Sequence, residues 1–341
     1  MLFVAIFLLV NKFMKAVYIK EFGGAENLEW RDVEDLPKPT GAQVLIKVEA
    51  SALNRADILQ RRGFYPAPKG FPQRILGLEF AGEVADAGND VKNFKTGDRV
   101  FGITAGGAQA EFLLTDESII ALIPDSLSFD SAAAIPEAFI TAHDAIFSQA
   151  DLKETETLLV HAVGSGVGLA ALQLAKAKNI RVFGTSRTQD KLEKCRALGL
   201  DELILVSDEA TFAETIKEKT GGKGVDVILD LVGANYFAAN LESLALKGRM
   251  LLVGTVGGRT AEFNFGLALA KRAKIIGTVL RSRLTEEKAE ATKKFIAEVL
   301  PLFAAGQIKP NIDRVFPIEE IRRAHEYIES NESFGKVILQ F

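Results

Sequence analysis

The fold of this chain is decided by one stretch, Thr157-Leu158-Leu159-Val160-His161-Ala162-Val163-Gly164-Ser165-Gly166-Val167-Gly168-Leu169-Ala170-Ala171-Leu172. It begins as an apolar run of strand length, passes through three glycines spaced two residues apart, and continues with small and apolar residues at helical spacing. A strand, a glycine turn and a helix in this order open a dinucleotide-binding unit, because the glycines let a pyrophosphate approach the main chain and the helix N-terminus offers unpaired N–H groups. The predicted pyrophosphate cradle consists of Gly164, Ser165, Gly166, Val167 and Gly168.

A tight structural turn is the alternative interpretation of these glycines. The pattern G-x-G-x-x-G is not met, because Leu169 stands where the third glycine belongs after Gly164 and Gly166. The strand before the turn and the helix after it nevertheless favour a cofactor site.

The end of the next predicted strand bears on the choice of cofactor. NAD-selective sites place Asp or Glu there, about 20 residues past the glycine turn, to bind the ribose 2′-hydroxyl. Here Ser186 and Arg187 follow the strand, and Lys191 comes about one helical turn later. Guanidinium and ammonium groups stabilise a 2′-phosphate, although solvated surface charges are the alternative. Asp190 is counter-evidence, but it falls where the next helix begins and suits the helix dipole. We predict NADPH rather than NADH, with Ser186, Arg187 and Lys191 around its 2′-phosphate.

The period of the sequence changes after Pro136. Before it, short strands at close spacing, such as 43–50, 80–88 and 99–102, suggest a small β-barrel. After it, strands alternate with helices, which predicts an α/β fold with a doubly wound parallel sheet. The predicted strands are 158–161, 181–184, 203–206, 225–229, 249–253 and 274–279, and the predicted helices are 166–178, 188–198, 209–219, 235–245 and 286–304.

Composition limits the function further. A chain of 341 residues exceeds what one core usually supports, so two domains are expected. The net charge of −4 gives no reason to expect a nucleic acid or a membrane surface as partner. The single cysteine, Cys195, excludes an intramolecular disulfide and fits a cytoplasmic protein.

The N-terminus is uniformly apolar over residues 1–10. Ten apolar residues are too few to span a bilayer, and neither a basic n-region nor a small-residue cleavage site marks a secretory signal. We interpret residues 1–13 as an extension outside the fold, because Met14 opens a strand-like segment.

Six motifs, in order along nearly the whole chain from Met14, carry a resemblance to a known family. They are Ala52-Leu53-Asn54-Arg55-Ala56-Asp57, Ile75-Leu76-Gly77-Leu78-Glu79, Ala134-Ile135-Pro136-Glu137-Ala138, residues 161–168, Leu280-Arg281-Ser282-Arg283 and Gly335-Lys336-Val337. The chain resembles the zinc-independent quinone oxidoreductases of the medium-chain dehydrogenase/reductase superfamily, and among them the tumour-suppressor-inducible type.

The resemblance implies an architecture. A GroES-like β-barrel catalytic domain is expected from residues 14–136 and 280–341, with a Rossmann domain, 137–279, inserted between them. The cofactor is expected in the cleft between the domains. The resemblance also implies a homodimer, in which strands near 251–256 and 274–279 pair across the two-fold axis.

The resemblance also implies site residues. The family's A-x-x-G-x-x-G pattern falls on Ala162, Ser165 and Gly168, so that a serine replaces the middle glycine. Asn54 and Thr141 are expected near the nicotinamide and its ribose. The cofactor cleft is expected to be lined by Gly254, Leu280, Arg281 and Asn331.

A zinc site is not expected. The positions that hold catalytic zinc ligands in related alcohol dehydrogenases carry Asn54, Leu78 and Glu137 here. Leucine cannot bind a metal and asparagine is a poor ligand, so three protein ligands are not assembled. The three histidines, His143, His161 and His325, are interpreted as structural.

Without a metal, a conjugated acceptor is the easiest substrate, because hydride addition gives a delocalised anion. We therefore predict hydride transfer from NADPH to a quinone or an α,β-unsaturated carbonyl compound. Tyr65 and Asn54 are the candidate catalytic residues, and Tyr65 either orients the acceptor, supplies a proton or only packs.

Two alternative functions stay open. One is an NADPH-dependent enoyl-thioester reductase, for which Arg61, Arg62 and Lys69 are the available basic residues. The other is a protein that binds NADPH with weak turnover. The acceptor itself is not encoded by a motif, since loops 61–72 and 256–266 shape the pocket.

Overall fold

A computed structural model describes residues 13–206 and 211–341. The predicted extension over 1–13 lies outside the described residues except for Phe13, which is the first residue of a strand. In chain order the strands are β1 Phe13–Ile19, β2 Leu28–Glu34, β3 Gln43–Leu53, β4 Glu79–Ala87, β5 Arg99–Ile103, β6 Phe112–Asp116, β7 Ile120–Leu122, β8 Thr157–Val160, β9 Arg181–Ser186, β10 Glu202–Leu205, β11 Val225–Asp230, β12 Leu244–Leu252, β13 Lys274–Gly277, β14 Ile312–Pro317 and β15 Lys336–Gln340.

The helices lie mostly after residue 128. In chain order they are α1 Arg55–Arg61, α2 Phe129–Ala133, α3 Thr141–His143, α4 Gly166–Ala177, α5 Gln189–Ala197, α6 Phe212–Lys219, α7 Ala234–Ser243, α8 Phe265–Lys271, α9 Thr285–Glu298, α10 Leu300–Ala304 and α11 Ile321–Glu329. Two π-helical segments, Pro136–Ile140 and Asp144–Gln149, flank α3. None of the helices in the described ranges is long and apolar enough to cross a membrane.

The predicted parallel sheet is confirmed. Six strands lie in the order β10-β9-β8-β11-β12-β13 and all of them pair in parallel. The two central strands, β8 and β11, are apolar and buried because helices cover both faces. The order reverses between β8 and β11, and ligands bind at such a switch point.

The second sheet is built from both ends of the chain, as the resemblance implies. Its order is β14-β15-β3-β4-β5-β7, and β6 pairs with β3. Strand β15 runs antiparallel to β3, with Val337 opposite Leu53. One hydrophobic core then extends across both sheets, from Phe101 in β5 through Phe295 in α9 to Leu158 in β8. The two domains are therefore packed directly against each other.

Two sequence expectations are wrong in detail. The single helix expected over 286–304 is divided into α9 and α10, because Pro301 has no N–H and its ring clashes with the carbonyl of Ala297. Along this stretch Phe295 and Val299 are buried, whereas Ile296 is exposed. The pairing of 251–256 across a two-fold axis is also excluded for β12, because its two edges are occupied by β11 and β13. Only β13 ends this side of the sheet.

Candidate active site

The glycine turn has the geometry of a phosphate cradle. Ser165 caps helix α4, and its Oγ accepts a hydrogen bond from the N–H of Gly168 at 3.2 Å. A Cβ at Gly168 would lie 2.5 Å from the carbonyl oxygen of Ala162, so the helix packs on the turn at a distance that only glycine permits. Helix α4 thus begins directly at the turn, with its first N–H groups facing outward from the C-terminal end of β8. This fits a pyrophosphate.

Three cations converge beside this turn. Arg187 is exposed at the end of β9. Lys191 Nζ donates a hydrogen bond to the carbonyl oxygen of Asn331 at 2.5 Å, and Arg55 Nη2 donates to Asn331 Oδ1 at 2.8 Å. Burial lowers the pKa of Lys191, and the charges of Arg187 and Arg55 lower it further. The structure therefore brings together the predicted Arg187, Lys191 and Asn331, whereas Ser186 is buried and its Oγ accepts from the N–H of Thr188.

Arg55 was missed by sequence reasoning. It stands on α1 of the barrel domain, next to the predicted Asn54, and reaches across the cleft to a loop that precedes β15. Burial lowers the pKa of Arg55. The charges of Arg187 and Arg62 lower it further, whereas the charge of Glu329 raises it. The only signal in the sequence was its place in the motif at 52–57.

At the other end of the cleft, Asn54 belongs to a buried ionic network. Lys336 Nζ donates to Glu79 Oε1 at 2.6 Å, to Asn54 Oδ1 at 2.7 Å and to the carbonyl oxygen of Leu53 at 3.2 Å. Asn54 Nδ2 also donates to Glu79 Oε1, at 2.7 Å. The amide of Asn54 is therefore held rigidly at the head of α1. Glu79 and Lys336 were not predicted as site residues, although both stand in the motifs that carry the resemblance.

Two further carboxyl groups border this network. Asp57 accepts hydrogen bonds from the N–H groups of Asn54 and Gly77, at 2.8 and 3.0 Å, and burial raises its pKa to about 6. Glu137 is the second residue of the first π-helical segment, and its N–H donates to Glu79 Oε2 at 2.8 Å. Burial, followed by the charge of Glu79, raises the pKa of Glu137 to about 8.

Arg281 fixes the loop that carries Tyr65. The guanidinium is buried and donates to the carbonyl oxygens of Ala105 at 2.8 Å and Tyr65 at 3.0 Å, and to Gln60 Oε1. It also lies 4.9 Å from the centroid of the Tyr65 ring. The side chain of Arg281 therefore positions the loop, which is a role that the resemblance did not imply. Burial raises the pKa of Tyr65, so its hydroxyl stays protonated.

The remaining expected cofactor residues differ in their surroundings. Thr141 Oγ1 is buried and has no hydrogen-bond partner in the described ranges. A Cβ at Gly254 would lie 2.4 Å from the carbonyl oxygen of Leu231, so close packing between the segments that follow β11 and β12 explains this glycine. Leu280 is buried beside Arg281.

The histidines have structural surroundings. His161 is fully buried between Thr185 Oγ1 at 2.9 Å and Asn240 Oδ1 at 2.5 Å, and burial lowers its pKa to about 4. His143 contacts Glu298, and His325 is buried beside Arg61 with Nε2 unpaired among the described residues. Within 13–206 and 211–341, no three His, Cys, Asp or Glu side chains are grouped to hold a metal ion.

The basic residues considered for a thioester arm are largely engaged elsewhere. Arg61 is buried and pairs with Glu329 at 2.8 Å, and Arg62 contacts the same carboxylate. Lys69 remains exposed on the loop 61–72.

Comparison with known proteins places the chain among dehydrogenases. Residues 40–125 match the family model of the alcohol dehydrogenase GroES-like domain, and residues 166–298 match that of the zinc-binding dehydrogenases. The chain is 34% identical to the quinone oxidoreductase of Homo sapiens over 96% of its own length and 98% of the relative. It is 32% identical to the quinone oxidoreductase of Pseudomonas aeruginosa over 95% and 99% of the two chains.

Two solved structures are also similar to this chain over nearly its whole length. A mycobacterial protein complexed with NADPH is 31% identical, with a TM-score of 0.86 over 96% of this chain and 100% of that one. The CurK enoyl reductase is 27% identical, with a TM-score of 0.85 over 96% and 99%.

Proposed function

We propose a function from the premise that this chain belongs to the quinone oxidoreductases of the medium-chain dehydrogenase/reductase superfamily, to which it is similar over nearly its whole length. It is thus an oxidoreductase that uses a nicotinamide cofactor. Our proposal is that the cofactor is NADPH and that the acceptor is a quinone or another α,β-unsaturated carbonyl compound.

The observation that carries the proposal is the group of three cations beside the glycine turn. Arg187 and Lys191 come from the Rossmann domain and Arg55 from the barrel domain. Burial lowers the pKa of Arg55 and of Lys191, and the charge of Arg187 lowers both further. A dianionic 2′-phosphate would relieve this repulsion, whereas a ribose hydroxyl would not. When bound, NADPH supplies a hydride from its nicotinamide.

The chain's own residues bind and orient the two reactants. The turn 164–168 binds the pyrophosphate, and the unpaired hydroxyl of Thr141 accepts a partner at the nicotinamide end. Tyr65, held against Arg281, orients the carbonyl oxygen of the acceptor with its protonated hydroxyl. The electron pair that the acceptor gains is spread over its conjugated system, so a neutral donor suffices to stabilise it.

Oxidation of NADPH by the purified full-length chain tests the function. A panel of quinones, enones and enoyl-thioesters is compared under saturating NADPH. We expect turnover with quinones or simple enones. Turnover confined to enoyl-thioesters would favour the second candidate, which the likeness to the CurK enoyl reductase supports and the engagement of Arg61 and Arg62 with Glu329 opposes. Tight NADPH binding without turnover would indicate a binding protein.

Separate variants test the cofactor. Arg187→Ala, Lys191→Ala and Arg55→Gln should each weaken NADPH binding by about 10- to 150-fold, because a hydrogen bond to a charged group contributes about 1.5–3 kcal/mol. Binding of NADH should change little. Arg196→Ala is the matched control, since Arg196 lies on helix α5 with Lys191, is exposed and pairs with Glu193. An equal loss for NADPH and NADH in all three variants would refute the assignment.

We also propose that the protein forms a homodimer through β13. This strand ends the parallel sheet, and apolar side chains are exposed on it and on the neighbouring α8, namely Ile275, Phe265 and Leu269. An open, apolar strand edge pairs readily with a second copy. Sedimentation equilibrium should give a dimer, and Ile275→Pro should give a monomer; a monomeric parent chain would contradict the proposal.

A further inference from the structure

Glu137 lies where its carboxyl group has no obvious structural purpose. It is part of the π-helical segment Pro136–Ile140, and segments of this kind are often found at functional sites. Its backbone is anchored by the hydrogen bond from its N–H to Glu79 Oε2. Both sequence neighbours, Pro136 and Ala138, are buried, but the Glu137 side chain keeps part of its surface accessible.

Two of the cations near Glu137 are already engaged with other acceptors. Lys336 Nζ donates to three acceptors, on Leu53, Asn54 and Glu79. The guanidinium of Arg281 donates to three others, on Gln60, Tyr65 and Ala105. Among the described residues, the Glu137 carboxyl itself has no hydrogen-bond or ion-pair partner. Burial raises the pKa of this carboxyl group and so favours its neutral form.

Charged and titratable groups on several elements interact with Glu137. They are Asp57 on α1, Tyr65 on the loop 61–72, Glu79 on β4, Arg281 after β13, Lys288 on α9 and Lys336 on β15. Burial and the two acidic groups, Glu79 and Asp57, raise the pKa of Glu137, and Lys336 and Arg281 lower it less. The balance leaves its pKa at about 8, which is close to the pH at which a general acid is most effective.

We propose that Glu137 is the proton donor to the acceptor, an inference that rests on the oxidoreductase function proposed above. As the acceptor gains a hydride at carbon, an electron pair moves onto its carbonyl oxygen. The O–H bond of the Glu137 carboxyl breaks, a new O–H bond forms on that oxygen, and Glu137 is left as a carboxylate. A proton from water restores the acid, so one hydride and one proton are consumed in each turnover.

This assignment separates Glu137 from Tyr65. Burial raises the pKa of Tyr65 above its already high usual value, so the phenol is a poor proton source and a good neutral hydrogen-bond donor. Tyr65 therefore orients the oxygen that Glu137 protonates. The charge of Glu137 raises the pKa of Tyr65, so the two groups are near enough to interact electrostatically.

The first test reads the carboxyl group without turnover. In protein labelled with ¹³C at the glutamate side-chain carboxyl, the resonance that disappears in Glu137→Gln is followed from pH 5 to pH 10. We expect a midpoint near the pKa of about 8 given above. A Glu137 carboxyl that is fully ionised at pH 6 would overturn the proposal.

The second test is the pH dependence of turnover. We expect wild-type kcat to fall above the pKa of Glu137, and Glu137→Gln to lower kcat about 100-fold or more and to lose this pH dependence, while the Kd for NADPH stays within twofold. Glu137→Asp should restore part of the rate together with a pH dependence. Asp130→Asn is the matched control, because Asp130 is another partly buried carboxyl with a raised pKa, and should behave as wild type.

The outcomes distinguish this inference from the proposed function. A wild-type chain that turns over no acceptor in the panel overturns the proposed function and the donor role together. A wild-type chain that turns over quinones or enones, with Glu137→Gln unchanged in kcat and in pH profile, overturns the donor role alone.

Discussion

Replacement of Lys336 by an uncharged residue should destabilise the protein, because the buried carboxylate of Glu79 loses its partner. In Lys336→Met, Glu79 loses the ammonium group that lies 2.6 Å from its Oε1. The two side chains are 6% and 0% exposed, so water cannot replace the lost partner. Because methionine has a similar length and apolar stem, the substitution changes the charge more than the packing.

The size of the effect follows from this burial. Breaking a buried ion pair from one side costs about 3–5 kcal/mol. Glu79 keeps two donors, Asn54 Nδ2 and the N–H of Glu137, so the lower end of the range, about 3 kcal/mol, is expected. Adding Glu79→Gln removes the uncompensated charge, and the double variant should be about 2 kcal/mol more stable than the sum of the two single changes.

Urea unfolding of the four chains measures this coupling. Trp30, the only tryptophan, lies 5.7 Å from the ring of Phe341 just after β15, so its fluorescence reports on the domain that contains the pair. Parallel circular dichroism checks that both domains unfold in one transition. Additive effects of the two substitutions would refute the reasoning, because they would mean that Lys336 and Glu79 do not stabilise each other.

Three further changes have defined outcomes. Gly168→Ala, whose Cβ would meet the Ala162 oxygen at 2.5 Å, should cost about 1–3 kcal/mol and weaken NADPH at least tenfold in fluorescence titration; unchanged affinity would contradict the cradle. Folding lowers the pKa of His161 from 6.5 to about 4, so the unfolded state binds the proton first and stability falls as the pH is lowered between these values. This linkage should cost wild type about 2 kcal/mol between pH 7 and pH 4.5, and His161→Gln should lose about that much less stability over the same interval in urea unfolding. Lys288→Met should raise the pKa of Glu137, because a neighbouring positive charge disappears, and a lowered ¹³C midpoint would disprove their interaction.

The parallel sheet was predictable because its signals are local. Each strand is a short apolar run, each helix follows it at helical spacing, and the turn at 164–168 identifies the strand that faces the ligand. The predicted strand near 158–161 is β8, Thr157–Val160, and the predicted helix 188–198 is α5, Gln189–Ala197. The break between α9 and α10 also has a local cause, Pro301, but the regular apolar spacing on both sides of it predicts one continuous helix.

The ionic part of the site was not predictable, because its contacts join distant parts of the chain. Glu79 and Lys336 are 257 residues apart, and Arg55 and Asn331 are 276 apart. Spacing carries no information at such separations. The resemblance identified Asn54 and Asn331 individually, but the cations that contact them became visible only when the barrel and the Rossmann domain were packed together.

The start of the C-terminal strand contacts both the glycine turn and the ionic network around Glu79. Gly335 donates its N–H to the carbonyl oxygen of Gly164 at 3.1 Å, on the pyrophosphate turn, and the next residue, Lys336, holds Glu79 and Asn54. Gly335 has φ +103°, and a Cβ there would lie 2.2 Å from the backbone oxygen of Asn311, so only glycine fits at this position. Two consecutive residues therefore tie the site that binds the hydride donor to the network from which Glu137 acts. A shift of β15 would move both at once, and this linkage would hold the proposed hydride donor and proton donor in a fixed relative geometry.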